Sequence, residues 1–239
     1  MNTTPSGPDQ WPQVPDELDV LAELVPLQAQ AIIELGCGAA RLARGLLMRW
    51  PQCTVTGLEV DSVQHAKNLA SPQDGLSFVA AGAQAVPFPD ASFDLALMLK
   101  SLHHVPMADM DQALGEVARV LRPGGFLYVS EPVYGGAFNE LARLYNDEAV
   151  VRPAAQAALD RVLASGQSWE AVAERRFAQT AHFASFEDFA QRMMYPSFAD
   201  HKVDQTLLDR VRVAFEPHCG EQGANFMRPM HVRLLRRKA

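Results

Sequence analysis

The segment Glu34-Leu35-Gly36-Cys37-Gly38-Ala39-Ala40-Arg41 lies where a short apolar run gives way to Leu42, Leu46 and Leu47 at helical spacing. Glycines at a strand-to-helix junction let the backbone turn sharply and approach a nucleotide-like ligand at the carboxyl end of the strand. A dinucleotide fingerprint asks for Gly or Ala three residues past the second glycine. Arg41 stands there, and the third small residue comes one place early at Ala40, which disfavours a nicotinamide-dependent oxidoreductase. Glu59 closes the next apolar run, VTGLEVD, 21 residues after Gly38. At that offset a carboxylate can accept from both hydroxyls of a ribose, and it disfavours a 2′-phosphate. The alternative is that Glu59 caps a strand end and Asp61 N-caps the following helix.

Groups able to move a proton cluster further along. His103 and His104 follow the apolar run FDLALML, and their unperturbed pKa near working pH makes them candidate general bases. Packing in a binding-site wall is the competing role. Glu131 and Tyr134 follow the run FLYVS and should face the same crevice, as candidates for positioning a substrate. Lys100, just before the His pair, is read either as a solvated lysine or as an attractor of anionic substrate. Cys37, Cys53 and Cys219 are odd in number and form no Cys-x-x-Cys pair, so neither a disulfide framework nor a structural zinc site is expected. No metal site is assigned.

The elements that must position these groups alternate between bare apolar runs and amphipathic stretches. AIIEL, CTVTGLEV, LSFVAA, FDLALML and FLYVSEP read as strands; PDELDVLAELVPL, RLARGLLMRW, SVQHAKNLA and MADMDQALGEVARVL read as helices. Bare runs imply strands buried on both faces, hence a doubly wound, mostly parallel α/β sheet. Residues 1 to 15 carry four prolines among polar residues and are expected to form a flexible leader. A single domain is expected from 16 to 239, with residues of about 133–200 forming an α-helical cap interrupted at Pro153. RRFAQTAHF reads as a sixth strand and FMRPMHVRLLRR as a last, solvated edge strand, a position that suits Pro229. The aromatic and Met residues of the cap segment, among them Phe138, Tyr145, Trp169, Phe183 and Tyr195, fit either a substrate pocket or core. Arg143 and Arg152 could reach a substrate carboxylate or sit in solvated ion pairs.

Taken in order, ELGCGAAR, LEVD, VPFPDASFDLALMLKSLHHV and LGEVARVLRPGGFLYVSEP resemble the class I S-adenosylmethionine-dependent methyltransferases, in particular the small-molecule branch that includes quinone-biosynthesis enzymes. The resemblance covers about residues 18 to 132. It implies a seven-stranded, Rossmann-like methyltransferase sheet with an antiparallel last strand, and S-adenosyl-L-methionine as cofactor. It further implies that the loop at Gly36 and Gly38 runs beneath the methionine part, with Glu34 nearby. Glu59 would hold the ribose, Val60 would pack on adenine, and Gly82, Ala83 and Gln84 would flank that ring. Leu99 and Lys100 would border the methionine group and the sulfonium. The chain departs from the family at Ala40, usually Gly and tolerable as Ala where φ is negative, and at Ala83, often Asp. Gln84 could replace the missing Asp oxygen.

With 21 basic against 28 acidic residues and a net charge of −7, the chain lacks the electropositive footprint of a nucleic-acid binder. It has no apolar run long enough to span a bilayer and no signal-like start, so a cytoplasmic protein without membrane or nucleic-acid partners is expected. The expected reaction is methyl transfer from S-adenosylmethionine to a small molecule; the oligomeric state is open. The alternative is a non-catalytic relative that keeps the fold and the cofactor.

Overall fold

The structure, a computed structural model, describes residues 11–239. Residues 1–10 of the expected leader lie outside it. The chain divides into two compact units, so the domain expected from residue 16 is shared between them. The sheet unit comprises Glu17–Glu131, Val151–Arg175 and His231–Ala239. The second unit holds Pro132–Val150, Arg176–Met230 and the described residues up to Asp16.

In the sheet unit, helix α1 (Glu17–Leu24) precedes β1 (Ala31–Leu35), α2 (Arg41–Arg49), β2 (Thr54–Leu58), α3 (Ser62–Leu69), β3 (Leu76–Val79) and β4 (Phe93–Leu99). Helix α4 (Met110–Val120) then leads directly into β5 (Leu121–Pro132). After α5 (Ala137–Ala142) come α6 (Val151–Ser165), β6 (Trp169–Phe183), α7 (Phe186–Phe189), α8 (Gln205–Phe215), β7 (Cys219–Gly220) and β8 (Gly223–Arg237). The strand order is β3-β2-β1-β4-β5-β8-β6, with the two-residue β7 pairing antiparallel to β8. The pairs β1–β2, β2–β3, β1–β4 and β4–β5 are parallel. The order reverses between β1 and β4, and in such sheets ligands bind outside the strand ends at that reversal.

The bare apolar runs do what burial on both faces requires: Ile32, Ile33, Leu95, Leu97, Leu127 and Val129 are fully buried. Each such side chain contributes roughly 1.5–3 kcal/mol relative to exposure. Helix α2 buries Ala43, Leu46 and Leu47, while α3 starts at Asp61, whose carboxylate accepts from the Val63 N–H at 3.0 Å. Helix α6 packs Ala155, Ala158 and Leu159 into the sheet core beside Trp169 and Leu235. Part of the segment expected as a cap is therefore a core helix, and Trp169 is core rather than pocket. Pro153 sits in the first turn of α6, where its missing N–H removes no helical bond, so it does not interrupt the helix.

The last strand also differs from expectation. β8 lies between β5 and β6 rather than at the edge, and Pro229 occupies an interior strand. Its carbonyl accepts from the Val133 N–H at 2.9 Å, so the one group that proline lacks is not the one used there.

The second unit has its own aromatic core, in which Phe138, Phe183, Phe186, Phe189, Phe215 and Phe226 interlock. Phe183 and Phe189 meet edge to face at 5.0 Å. Part of the expected flexible leader is paired here: Val14 donates to Ala178 O at 3.0 Å, and Ala178 donates to Pro12 O at 2.8 Å. Among the described residues, no helix is long and apolar enough to cross a membrane.

Candidate active site

The loop between β1 and α2 is fixed by its backbone. Gly36 and Cys37 both donate to Leu58 O at 2.9 Å, which binds the loop to the end of β2. Gly36 has φ +69°, and a Cβ there would stand 2.8 Å from Ser101 Cβ, so no side chain fits. Gly38 has φ +51° with open space around it. Its N–H donates to Glu59 Oε2 at 2.8 Å, and its carbonyl accepts from Asn68 Nδ2 at 2.7 Å. Glu59 Oε1 accepts from the Asp61 N–H at 2.8 Å. Glu59 thus braces the loop, and Asp61 does N-cap α3. Each Glu59 oxygen, with one bond made, keeps a further lone pair for a hydroxyl.

Ala40, fully buried, has φ +54° and ψ +33°. The condition under which an alanine replaces the family's glycine freely, a negative φ, is not met. A left-handed L-residue costs roughly 1–2 kcal/mol, so the loop carries strain at this position. Cys37 packs on Gly57, where an added Cβ would lie 2.8 Å from its sulfur. Burial, with the Glu34 and Glu59 charges beside it, pushes its thiol pKa well up, so it is no nucleophile.

A buried charged cluster lies under the loop. Glu34, 4% exposed, has its pKa pushed up to about 8 by burial; Lys100 opposes the rise, while Glu17 and Glu59 add to it. Glu34 Oε2 has no hydrogen-bond partner. Lys100, at φ +55° just past β4, places its ammonium 3.0 Å from the buried Glu17 carboxylate. It is neither a solvated lysine nor a free attractor of anions. Leu99, before it, is half-buried.

The chain then makes a single tight turn over Leu102–His104. Glu131, at the end of β5, holds this turn with both oxygens: Oε1 accepts from the Leu102 N–H at 2.9 Å, and Oε2 bonds His103 Nδ1. His103 and Glu131 are buried, whereas His104 is exposed with its ring 4.1 Å from that of His103. The two histidines, equivalent as sequence candidates, are thus distinct in structure.

Just past β2, Val60 is 71% exposed, and beyond β3 Ala83 is buried. The Gln84 amide folds over Gly82, where a Cβ would stand 2.6 Å from its oxygen. Tyr134, in the second unit, donates to Asp147 at 2.9 Å. Arg143 pairs with Glu140 at 3.0 Å. The sequence reading missed Asn68, Glu17 and Ser101. Asn68 left one signal, a polar residue on the inner side of α3; the other two act across 83 and 65 residues, which no local pattern encodes.

These residues fit S-adenosylmethionine. The unpartnered Glu34 oxygen suits a cationic ligand end, the open space at Gly38 admits close approach, and Glu59 with exposed Val60 offers acceptors beside an apolar platform.

Comparison with known proteins agrees with this geometry. Residues 33–129 match the family model described as a methyltransferase domain. A fatty-acid O-methyltransferase of Mycolicibacterium smegmatis is 41% identical over 108 residues, covering 43% of this chain and 37% of that one. A ubiquinone/menaquinone biosynthesis C-methyltransferase, UbiE, of Hahella chejuensis is 53% identical over 58 residues, or 24% and 22% of the two chains. The chain spans less than half the length of these relatives. The YcgJ protein of Bacillus subtilis superposes with a TM-score of 0.65 at 16% identity, over 93% of this chain and 97% of that one, which speaks for the fold. The glycine loop and its bracing carboxylate, the strand order and these matches together make residues 33–129 a class I S-adenosylmethionine-dependent methyltransferase domain, with S-adenosylmethionine as its cofactor.

Proposed function

We propose that the protein transfers a methyl group from S-adenosylmethionine to a small-molecule acceptor. When bound, the cofactor supplies an electrophilic methyl on a positively charged sulfur. The chain's own part is to bind, orient and exclude water, which accounts for most of the rate in a displacement between two held reactants. Glu59 accepts ribose hydroxyls while keeping the loop in place through Gly38. Glu34 turns its unpartnered oxygen to the positive end of the ligand as a hydrogen-bond acceptor, Val60 and the Gly82–Gln84 turn flank the base, and Leu99 borders the methionine end.

The observation that carries this reading is the Glu59 carboxylate clamped to the Gly38 N–H at the sheet's reversal point. The net charge of −7 favours a small acceptor over a polyphosphate chain. A cytoplasmic location accompanies this reading.

Calorimetric titration of ligand-free protein with S-adenosylmethionine, S-adenosylhomocysteine and NAD tests it. Selective binding of the two adenosyl compounds is expected, followed by methyl transfer to members of a small-acceptor panel. Binding of NAD alone would overturn the reading. Binding without transfer to any oxygen, nitrogen, carbon or sulfur acceptor would instead favour the non-catalytic relative, which the strained Ala40 keeps in play.

A further inference from the structure

Helix α3 fully buries a single residue, and that residue is polar: Asn68, 3% exposed. Inside a helix the short asparagine side chain competes for nearby backbone groups, so its burial there calls for a partner elsewhere. That partner lies 30 residues back in the cofactor loop: Asn68 Nδ2 donates to Gly38 O at 2.7 Å. A carbonyl can only accept, so this bond decides which end of the amide faces the loop, and Gln64 Nε2 holds the other end by donating to Asn68 Oδ1 at 2.9 Å. The loop depends on such support. The Ala40 N–H donates to Cys37 O at 2.8 Å, closing a turn whose central peptide joins Gly38 to Ala39. The main turn types differ by a flip of that central peptide, so its carbonyl is the group to tie down. Ala40 then leaves the turn at φ +54° as the N-cap of α2, with no side-chain bond to cap the helix. Glu59 fixes the Gly38 N–H and Asn68 the Gly38 carbonyl, so the bonds that pin the residue come from outside the loop.

We propose that Asn68 is a positioning residue of the cofactor loop: by holding the Gly38 carbonyl it keeps Ala40 left-handed before S-adenosylmethionine arrives, so the ligand meets a loop already in its binding shape. This rests on the methyltransferase reading above. Without the Asn68 bond the free protein relaxes at Ala40, and the ligand must restore the strained form on binding. The apparent dissociation constant then rises as the inverse of the fraction still in that form, about fivefold to 30-fold for the left-handed cost of one L-residue.

Three measurements on the full chain test it. In calorimetry with S-adenosylhomocysteine, Asn68→Ala should weaken binding about fivefold to 30-fold. When Ala40→Gly is present in both proteins compared, the loss should shrink to less than about threefold, since glycine carries no left-handed penalty. Equal losses in the two backgrounds would mark Asn68 as a packing residue and overturn the proposal. Asn68→Asp keeps the shape but has no donor while ionised, so at neutral pH it should bind as weakly as Asn68→Ala. Burial raises the pKa of the introduced carboxyl, and between about pH 8 and about pH 5 it should gain a proton, donate to Gly38 O and regain affinity relative to the unsubstituted protein. Glu34, Cys37, Arg44 and Glu59 around the loop are common to both proteins, so the difference reports position 68. A gap that stays constant with pH overturns the donor role. Urea unfolding reads the same coupling without ligand: Ala40→Gly should improve the folding constant by about fivefold to 30-fold more in the unsubstituted protein than in Asn68→Ala, and additive effects overturn the proposal. Failure of the unsubstituted protein to bind either adenosyl compound would instead fell the proposed function, with the unfolding cycle still deciding on Asn68.

Discussion

Replacing Gly36 by Ala probes the contact on which the site's geometry depends. Two separate penalties are expected. At φ +69° an L-residue costs roughly 1–2 kcal/mol. The new Cβ would also stand 2.8 Å from Ser101 Cβ, far inside normal contact, and overpacking of this kind costs about 1–3 kcal/mol. The sum is ~2–5 kcal/mol, a large share of the ~5–15 kcal/mol that holds a typical domain together. The penalties can be separated, because only the second depends on Ser101. Ser101→Gly removes the obstacle together with a buried hydroxyl that has no hydrogen-bond partner, so alone it should be close to neutral. In that background Gly36→Ala should cost only the conformational part. Urea unfolding of the four proteins, followed by the fluorescence of Trp50 and Trp169 in the sheet unit, gives the coupling energy, expected at about 1–3 kcal/mol. A coupling below about 0.5 kcal/mol would refute the close approach of the loop to the β4 turn, since residues out of contact add to within that margin.

Glu34 titrates near 8 in the folded protein against an ordinary value of 4.5, so between those values the native state holds the extra proton and stability falls as pH rises. The slope from this group is at most ~1.4 kcal/mol per pH unit, and Glu34→Gln should flatten a plot of unfolding free energy against pH over that window; an unchanged plot would contradict the assignment. Glu59→Ala should weaken S-adenosylmethionine binding by about tenfold or more in calorimetry, since a hydrogen bond to a charged group is worth ~1.5–3 kcal/mol; an equal dissociation constant would remove Glu59 from the ribose role. Lys100→Met leaves the Glu17 carboxylate buried without its cation and should lower urea stability by about 1–3 kcal/mol, with much of the loss recovered in the Lys100→Met/Glu17→Gln double variant.

The parts of the fold that local pattern encodes were legible. AIIEL closed by Gly36 and Gly38 reads as a strand meeting a tight loop because burial on both faces demands a bare apolar run and the turn demands positive φ. The order β3-β2-β1-β4 is not written in any local pattern, because right-handed crossovers fix the hand of each βαβ unit and leave the choice of neighbour open. Strand insertion is another matter: nothing in the alternation of FMRPMHVRLLRR distinguishes an edge from the gap between β5 and β6. Helix α6 was misassigned for a related reason, since an alanine-rich stripe fits a cap and a core equally well until its partners Trp169 and Leu235 are known. At the site, the Glu59 offset was readable, but its bond to Gly38 was not. Nothing in the run PDELDVLAELVPL singles out Glu17, yet it is buried and holds Lys100 from 83 residues away. Ala40 shows the reverse limit: its small side chain hides a left-handed backbone behind a residue type that rarely adopts one.

The place of β8 also dictates an order of events during synthesis. β5 and β6 are made first, yet they are not neighbours; the slot between them waits for residues 223–237. Until those residues leave the ribosome, the nascent chain carries a β5 edge with open backbone donors and acceptors, a template for any other extended chain. Closing that slot joins segments about a hundred residues apart, which makes it a slow step by the rule linking contact separation to folding rate. Once β8 is in that slot, its arginines are paired, Arg233 with Asp160 at 2.7 Å and Arg236 with Glu170.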